Sequence, residues 1–532
     1  MTEIGLVILV YFFIDNVLFF TFHDGFIGGF DNILERLQIS SKWVSNVPYY
    51  GNSIFLNSLK NPVVLLVTVF LVHSTIKGWK TQNWRDIEFG ELLRPFVIGV
   101  CFVLTWSYAF YDFNYYLNQW HLLDRVLIVV LGFLVAWKPS FIPFFIALAL
   151  LVLSQFSYPF SVSILDKKLL FNMLTLIWAY ILLFPRLKLK FTHLVLLILC
   201  LHGSNYFFPG LTKLSIGPWF YEWAIQNDLW MHAVYSQSKG WLAFLSPNIA
   251  NDLLKIMIDW NKLFLGVSLF IELMPLTLLL FNRRWAIICL LSFDLLHIGI
   301  FFESGIFFWK WIILNFFIIF LIKGLPGQQA SQLFSKKFYA MSLIIICCAF
   351  MYFKPVTLGW WDTRANESYS IEVELEDGTT MPLRMNDMAP YDMMFTFARF
   401  SFLNPHKVLF QNAHVTQDYE LYQALRAVDL EGFKEITKKG FSRFDHDTAS
   451  EFDQFIQQSF QNLNGQIMEQ WSPRSFSAPN HIYTKFFSRD HVFFKFDQRI
   501  INVHVRYGQM FYFRGEIDVV KDEIIRTIKI PE

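Results

Sequence analysis

Long, nearly uninterrupted apolar runs fill roughly the first 350 residues, and short alternating runs of apolar and polar positions fill the rest. A window long enough to cross about 30 Å of hydrocarbon predicts helices near 4–22, 61–77, 95–112, 122–137, 139–157, 169–185, 191–209, 263–281, 285–302, 305–322 and 338–353. That makes about eleven spans, with a range of nine to twelve, because 122–157 reads either as two short spans or as one re-entrant pair broken at Lys138-Pro139. Beyond Lys354 the period changes. Tyr369, Ile371, Val373 and Leu375 alternate into Glu376-Asp377-Gly378 and then Met381 and Leu383, which predicts a hairpin with an Asp-Gly turn. Helical periodicity follows near 417–439 and 448–463. Strand-like runs return at 491–496, 500–507 and 510–517, with Tyr507-Gly508-Gln509 as the turn between the last two. The expected fold is a polytopic α-helical membrane bundle over 1–353 followed by a soluble α+β domain over 354–532.

Composition agrees with the pattern. Of 532 residues, 55% are hydrophobic and only 16% charged, and 61 are Phe; with a mean hydropathy of +0.39, that is more apolar surface than water-facing domains can hide. The formal charge of +1 gives no global field that would hold nucleic acid. Cys101, Cys200, Cys289, Cys347 and Cys348 all lie in apolar stretches, so neither a disulfide framework nor a thiolate metal site is expected. Met-Thr-Glu-Ile ahead of the first run has no basic leader, so that run reads as a retained helix.

Basic residues collect in alternate short connections: Lys77, Lys80, Arg85 and Arg94, then Lys138, then Arg186, Lys188 and Lys190, then Arg283-Arg284, then Lys323, Lys336 and Lys337. By the positive-inside rule the N-terminus is cytoplasmic. An odd number of spans then puts the C-terminal domain on the extracytoplasmic side, expected to be the periplasmic side of a bacterial inner membrane. The loop 210–262 lies on that same side. Its Trp219, Trp223, Trp230, His232, Tyr235 and Trp241 suit short helices lying in the interface.

Ionisable groups inside a bundle are costly, so each is a candidate for function. Lys213 follows the outer end of the 191–209 helix, and His202 lies about two turns deeper. Asp294 and His297 stand three apart on one helix face and can pair directly. His121, Glu272 and Glu303 complete a set that could line a polar pocket under the soluble domain. Each also has a plain structural reading. Lys213 can snorkel to head groups, Asp294 and His297 can satisfy each other between helices, and Glu272 can bind backbone donors freed at Pro275.

Tyr206-Phe-Phe-Pro-Gly-Leu-Thr-Lys-Leu, followed by the aromatic loop, resembles the horizontally transferred transmembrane (HTTM) family, which includes the vitamin K-dependent gamma-carboxylases. Phe293-Asp-Leu-Leu-His-Ile-Gly-Ile-Phe and Gly305-Ile-Phe-Phe-Trp resemble its His-bearing helix and the glycine-aromatic start of the next one, so the match covers about 200–325. Where the carboxylases carry two lysines and Leu-Asp, this chain has Thr212-Lys213-Leu214-Ser215; their Asn-His pair corresponds to Asn118 and His121 in a shifted register. The resemblance implies a membrane lyase in which Lys213 deprotonates a reduced, vitamin K-like quinone. Oxygen then turns that quinone into a strong base, and the base removes a glutamate γ-proton before CO2 adds. His297 would be the second catalytic residue, with His121, His202, Glu272, Asp294 and Glu303 around the pocket. The expected partners are the lipid bilayer and a protein or peptide substrate at the outer domain. The alternative is a non-enzymatic transporter, or a scaffold whose outer domain binds a partner.

Overall fold

The structure, a computed structural model, describes residues 2–22, 62–110, 121–156, 165–187, 189–243, 245–383, 391–465, 478–483 and 498–532. The helical part comprises α1 (Thr2–Phe22), α2 (Pro62–Thr81), α3 (Gly90–Ala109), α4 (His121–Trp137), α5 (Ile142–Phe156), α6 (Leu165–Leu187) and α7 (Phe191–Ser215). Three short helices, α8 (Glu222–Gln226), α9 (Trp230–Ser238) and α10 (Pro247–Asp259), fill the aromatic loop. The bundle then resumes with α11 (Asn261–Thr277), α12 (Arg283–Ser304), α13 (Trp309–Gly324), α14 (Gly327–Leu333) and α15 (Lys336–Cys347).

Every one of the eleven predicted stretches therefore contains a helix, but among the described residues fewer of these helices have the length and hydropathy of a span. Among the described residues, five helices are long and apolar enough to cross a membrane: Thr2–Phe19, Gly90–Ala109, Asp166–Phe184, Phe191–Ser215 and Arg283–Ser304. A sixth arises if α13 and α14, bent by 117°, count as one span. These helices mark the chain as a membrane protein. Several of the rest are shorter than the sequence suggested. Gly305–Phe308 turn instead of continuing into α13, and Ile306 forms a β-bridge with Ile482. The last predicted helix stops at Cys347 and ends in a 3-10 turn, Ala349–Met351.

α7 is the axis of the bundle. It packs against α6, α11 and α15, and almost every side chain from Phe191 to Gly210 is buried, in one apolar core that runs from Ile4 to Val356 and takes in Ala478. The helix does not end at Pro209 as predicted. Thr212 returns a hydrogen bond to the Phe208 carbonyl (2.9 Å) and Lys213 is tied to α11, so the last turn persists beyond the proline. The loop helices match expectation in kind. In α10, Ser246 caps the N-terminus by accepting from the Ile249 amide. Ile249, Leu253 and Ile256 share an exposed apolar face, as in an interfacial helix.

The C-terminal part opens with β1 (Trp361–Asp362) and β2 (Ala365–Leu375), then β3 (Thr380–Pro382), α16 (Asp392–Thr396) and β4 (Val415–Thr416). It continues with α17 (Tyr419–Ala427), α18 (Leu430–Thr437), α19 (His446–Gly465), β5 (Ile500–Phe513) and β6 (Glu516–Lys529). An antiparallel sheet has the order β3-β2-β5-β6, and β1 pairs with β4 in a separate ladder. The Asp-Gly hairpin is present: β2 and β3 pair through Val373 and Met381, and Gly378 takes the positive φ of 82° that the turn needs. The second predicted turn is not. Gly508 lies inside β5, paired with Ser368 on one side and Asp522 on the other. The reversal comes at Arg514-Gly515, whose φ values of 50° and 91° match a two-residue hairpin loop. The predicted run 491–496 lies outside the described residues.

A candidate site beneath the C-terminal domain

The end of α7 meets the C-terminal part directly. Trp223 of α8 donates to the Trp360 carbonyl at 2.7 Å and packs with Leu265, Trp361 and Tyr422. Beneath that seam Lys213 Nζ donates to Glu272 Oε1 at 2.6 Å and stands 4.9 Å from the centre of the Trp223 ring. The lysine therefore does not snorkel to solvent, and Glu272 serves a side chain instead of the backbone near Pro275. Both side chains are largely enclosed, 15% and 9% exposed, and Glu272 Oε2 has no hydrogen-bond partner. Glu303, on the last turn of α12, lies within electrostatic reach of both Lys213 and Asp362, and its Oε1 also lacks a partner.

Deeper between the helices the predicted Asp294–His297 pair is replaced by two other contacts. Asn315 of α13 accepts through Oδ1 from the Nε2–H of His202 at 2.5 Å and donates through Nδ2 to Asp294 Oδ1 at 2.6 Å. His297 Nε2 lies 2.8 Å from the Tyr206 hydroxyl, and the Tyr206 ring stacks on Phe293 at 3.7 Å. The reason is geometric. Neighbours on one helix face point outward in parallel, whereas the amide of Asn315 and the phenol of Tyr206 come from facing helices and reach the ring nitrogens end-on. His121 begins α4; its side chain lies outside what is described. The structure thus joins Lys213 to Glu272 and His202 to Asp294 through Asn315, and sets His297 on Tyr206.

A second cluster escaped the sequence reading. His232 on α9, Asp362 on β1 and His414 just before β4 bring three ligand-type atoms within 4.8 Å of one another. Strand pairing sets two of them: Asp362 pairs with Val415, and the Thr363 amide donates to the His414 carbonyl at 2.9 Å. Asn227 fixes the carboxylate, donating to Asp362 Oδ2 at 2.7 Å and accepting from the Asp362 amide at 2.8 Å. Oδ1 is left free of hydrogen bonds, 3.8 Å from His232 Nδ1 and 3.7 Å from His414 Nε2. Both His414 nitrogens lack partners. Burial, with His232 and then Lys239 adding to it, holds the His414 pKa well below the usual histidine value. The two histidines line a cleft with about 410 Å³ of empty space, part of it open to solvent, shared with Tyr235, Lys239 and Tyr483. Burial pulls the Lys239 pKa down to about 8. Only His232 stood out in the sequence, as one member of an aromatic run; Asp362 and His414 lie far apart along the chain and carry no local signature.

Comparison with protein-family models, with curated proteins and with solved structures finds no match to this chain.

Proposed function

We propose that the chain is a multi-pass membrane enzyme of the HTTM type, a quinol-linked lyase related to the vitamin K-dependent gamma-carboxylases. In this reading all eleven predicted stretches lie within the bilayer, and residues 354–532 form one extracytoplasmic domain that presents a peptide to the bundle. The setting is a bacterial inner membrane with its periplasmic face. The carrying observation is the Lys213–Glu272 contact at 2.6 Å, enclosed beneath the domain. The lysine that the resemblance names as the base meets a carboxylate in hydrogen-bond reach. A base that takes a proton in every turnover needs a route to discharge it, and Glu272, with Oε2 unpartnered, offers the first step of one. A reduced quinone entering from lipid would lose its hydroxyl proton to Lys213. Glu303, within electrostatic reach of Lys213, and Tyr206, within reach of Glu272, would border the place of the quinone, and oxygen and CO2 would enter as co-substrates.

The test uses the full chain in nanodiscs, supplied with a reduced menaquinone, oxygen, labelled bicarbonate and a glutamate-rich peptide pool. Quinone epoxide and incorporated label are followed by mass spectrometry. Wild type should form both, and Lys213→Ala should lose at least about 100-fold, the usual weight of a positioned base. Full epoxide formation by Lys213→Ala would overturn the role of Lys213; no conversion by wild type would overturn the quinol reading.

A further inference from the structure

We infer that His232, Asp362 and His414 form a binding site for a divalent transition-metal ion of the Zn2+ type, held at the seam between the loop helices and the C-terminal domain. The donor set is two imidazoles and one carboxylate, the set that first-row divalent ions accept with a position left for a further ligand. The geometry is near to closed already. Two ligands at Zn2+ distances stand about 3.4 Å apart around a tetrahedral ion, and Asp362 Oδ1 lies 3.8 Å from His232 Nδ1 and 3.7 Å from His414 Nε2. The three donor atoms lie within 4.8 Å of one another, so closing the two imidazoles toward each other by roughly 1 Å would complete it.

Two further observations point to a ligand and not to a packing contact. First, Asp362 and His414 are buried, 1% and 5% exposed, yet Asp362 Oδ1 and both His414 nitrogens have no hydrogen-bond partner. A buried polar atom left unpaired costs about 1–3 kcal/mol, so a fold that keeps three of them in one place has a use for them. Second, the aspartate is aimed. Asn227 grips its other oxygen and its amide, and Asn261 in turn donates to the Asn227 carbonyl at 2.7 Å, which is the outer support that orients a metal-binding carboxylate. The cleft lies on the open side, where Lys239 could hold an anionic group on the ion's remaining position.

The site draws its ligands from three segments, one from α9 and two from the C-terminal part, so the ion would also fasten the domain to the loop helices. This assignment does not depend on the quinol chemistry proposed above, and the test reads metal alone.

Purified full-length protein is stripped with a chelator, exchanged into chelator-free buffer and titrated with Zn2+ against a chromophoric competitor, with the bound ion counted by elemental mass spectrometry. One ion per chain is expected. His414→Ala, Asp362→Ala and His232→Ala should each weaken binding at least 100-fold, while His406→Ala, on the exposed surface of the same domain, should leave it unchanged. Should the two buried variants misfold, His232→Ala and Co2+ binding by wild type decide the matter, the latter through the visible absorption of a four-coordinate nitrogen and oxygen site. Failure of wild type to retain any ion, or unchanged affinity in His232→Ala, would overturn the assignment.

Discussion

Lys213 and His414 lie on either side of one seam and are treated in opposite ways by their surroundings. Around Lys213 the bundle supplies a carboxylate at 2.6 Å and an aromatic ring face; around Asp294 and His297 it supplies Asn315 and Tyr206. Around His414 the fold brings three donor atoms together and leaves them short of hydrogen bonds. In a helical bundle a polar group without a partner has no water to fall back on, so facing helices are under pressure to provide one. At the seam, open to a cleft, unpaired groups can persist when something from outside completes them. The difference is one of degree: Lys213, Glu272, Asp294 and His297 each keep a side-chain partner from a facing helix, whereas His414 has a hydrogen-bond partner at neither nitrogen.

The largest effect should come from breaking the paired side of this contrast. Glu272→Ala strands an enclosed ammonium and Lys213→Ala strands an enclosed carboxylate, each expected to cost about 3–5 kcal/mol. Lys213→Ala with Glu272→Ala removes both charges at once and should cost clearly less than the sum of the two single changes. Unfolding of the detergent-solubilised variants measures all three. If the double variant is as unstable as the sum, the two residues act separately and the pairing is of no energetic consequence.

A smaller loss is expected from Tyr206→Phe. The ring stack on Phe293 at 3.7 Å survives, but His297 Nε2 loses its partner while Nδ1 already has none. The expected cost is about 1–3 kcal/mol, read as a lowered unfolding midpoint. No change would mean that the histidine finds another partner between the helices, and the contrast between the two clusters would weaken.

Much of this was legible in the sequence because it rests on local patterns. The positions of the helices followed from apolar runs, and the β2–β3 hairpin from Asp377-Gly378. Lys213, Glu272, Asp294, His297 and His202 stood out by being ionisable in oily surroundings. Their partners did not. Asn315 and Tyr206 are ordinary polar residues in helices, and only the packing of facing helices decides that they, and not each other, meet Asp294 and His297. Among the described residues fewer helices reach spanning length than there are apolar runs, for a related reason: an apolar run fixes that a helix forms, while its length depends on where tertiary contacts stop it, as at Gly305. There φ is 75°, and a side chain would run into the Tyr483 carbonyl. The last hairpin was misplaced because Gly508 is a weak guide inside a strand, whereas the true turn puts Arg514, a residue with no preference for positive φ, beside Gly515. His232, Asp362 and His414 are joined only by the docking of α9 on the β1–β4 ladder, which no local pattern announces.

The smallest effect, and the one that best separates the two clusters, concerns His414→Phe in the absence of metal. Replacing an imidazole whose two nitrogens are buried and unpaired removes a penalty and keeps a ring to pack against Tyr235 and His232. The expected change is within about 1 kcal/mol of wild type, in either direction. Addition of Zn2+ should reverse the order. An ion that binds only the folded state adds about 2.7 kcal/mol when it is present at 100 times its dissociation constant, and the variant should gain almost nothing. Unfolding midpoints of both proteins, with chelator and with Zn2+, give the four numbers needed. A variant that is several kcal/mol weaker than wild type under chelator would show His414 to be structural, because a residue kept for a ligand should cost its fold little when both the residue and the ligand are gone.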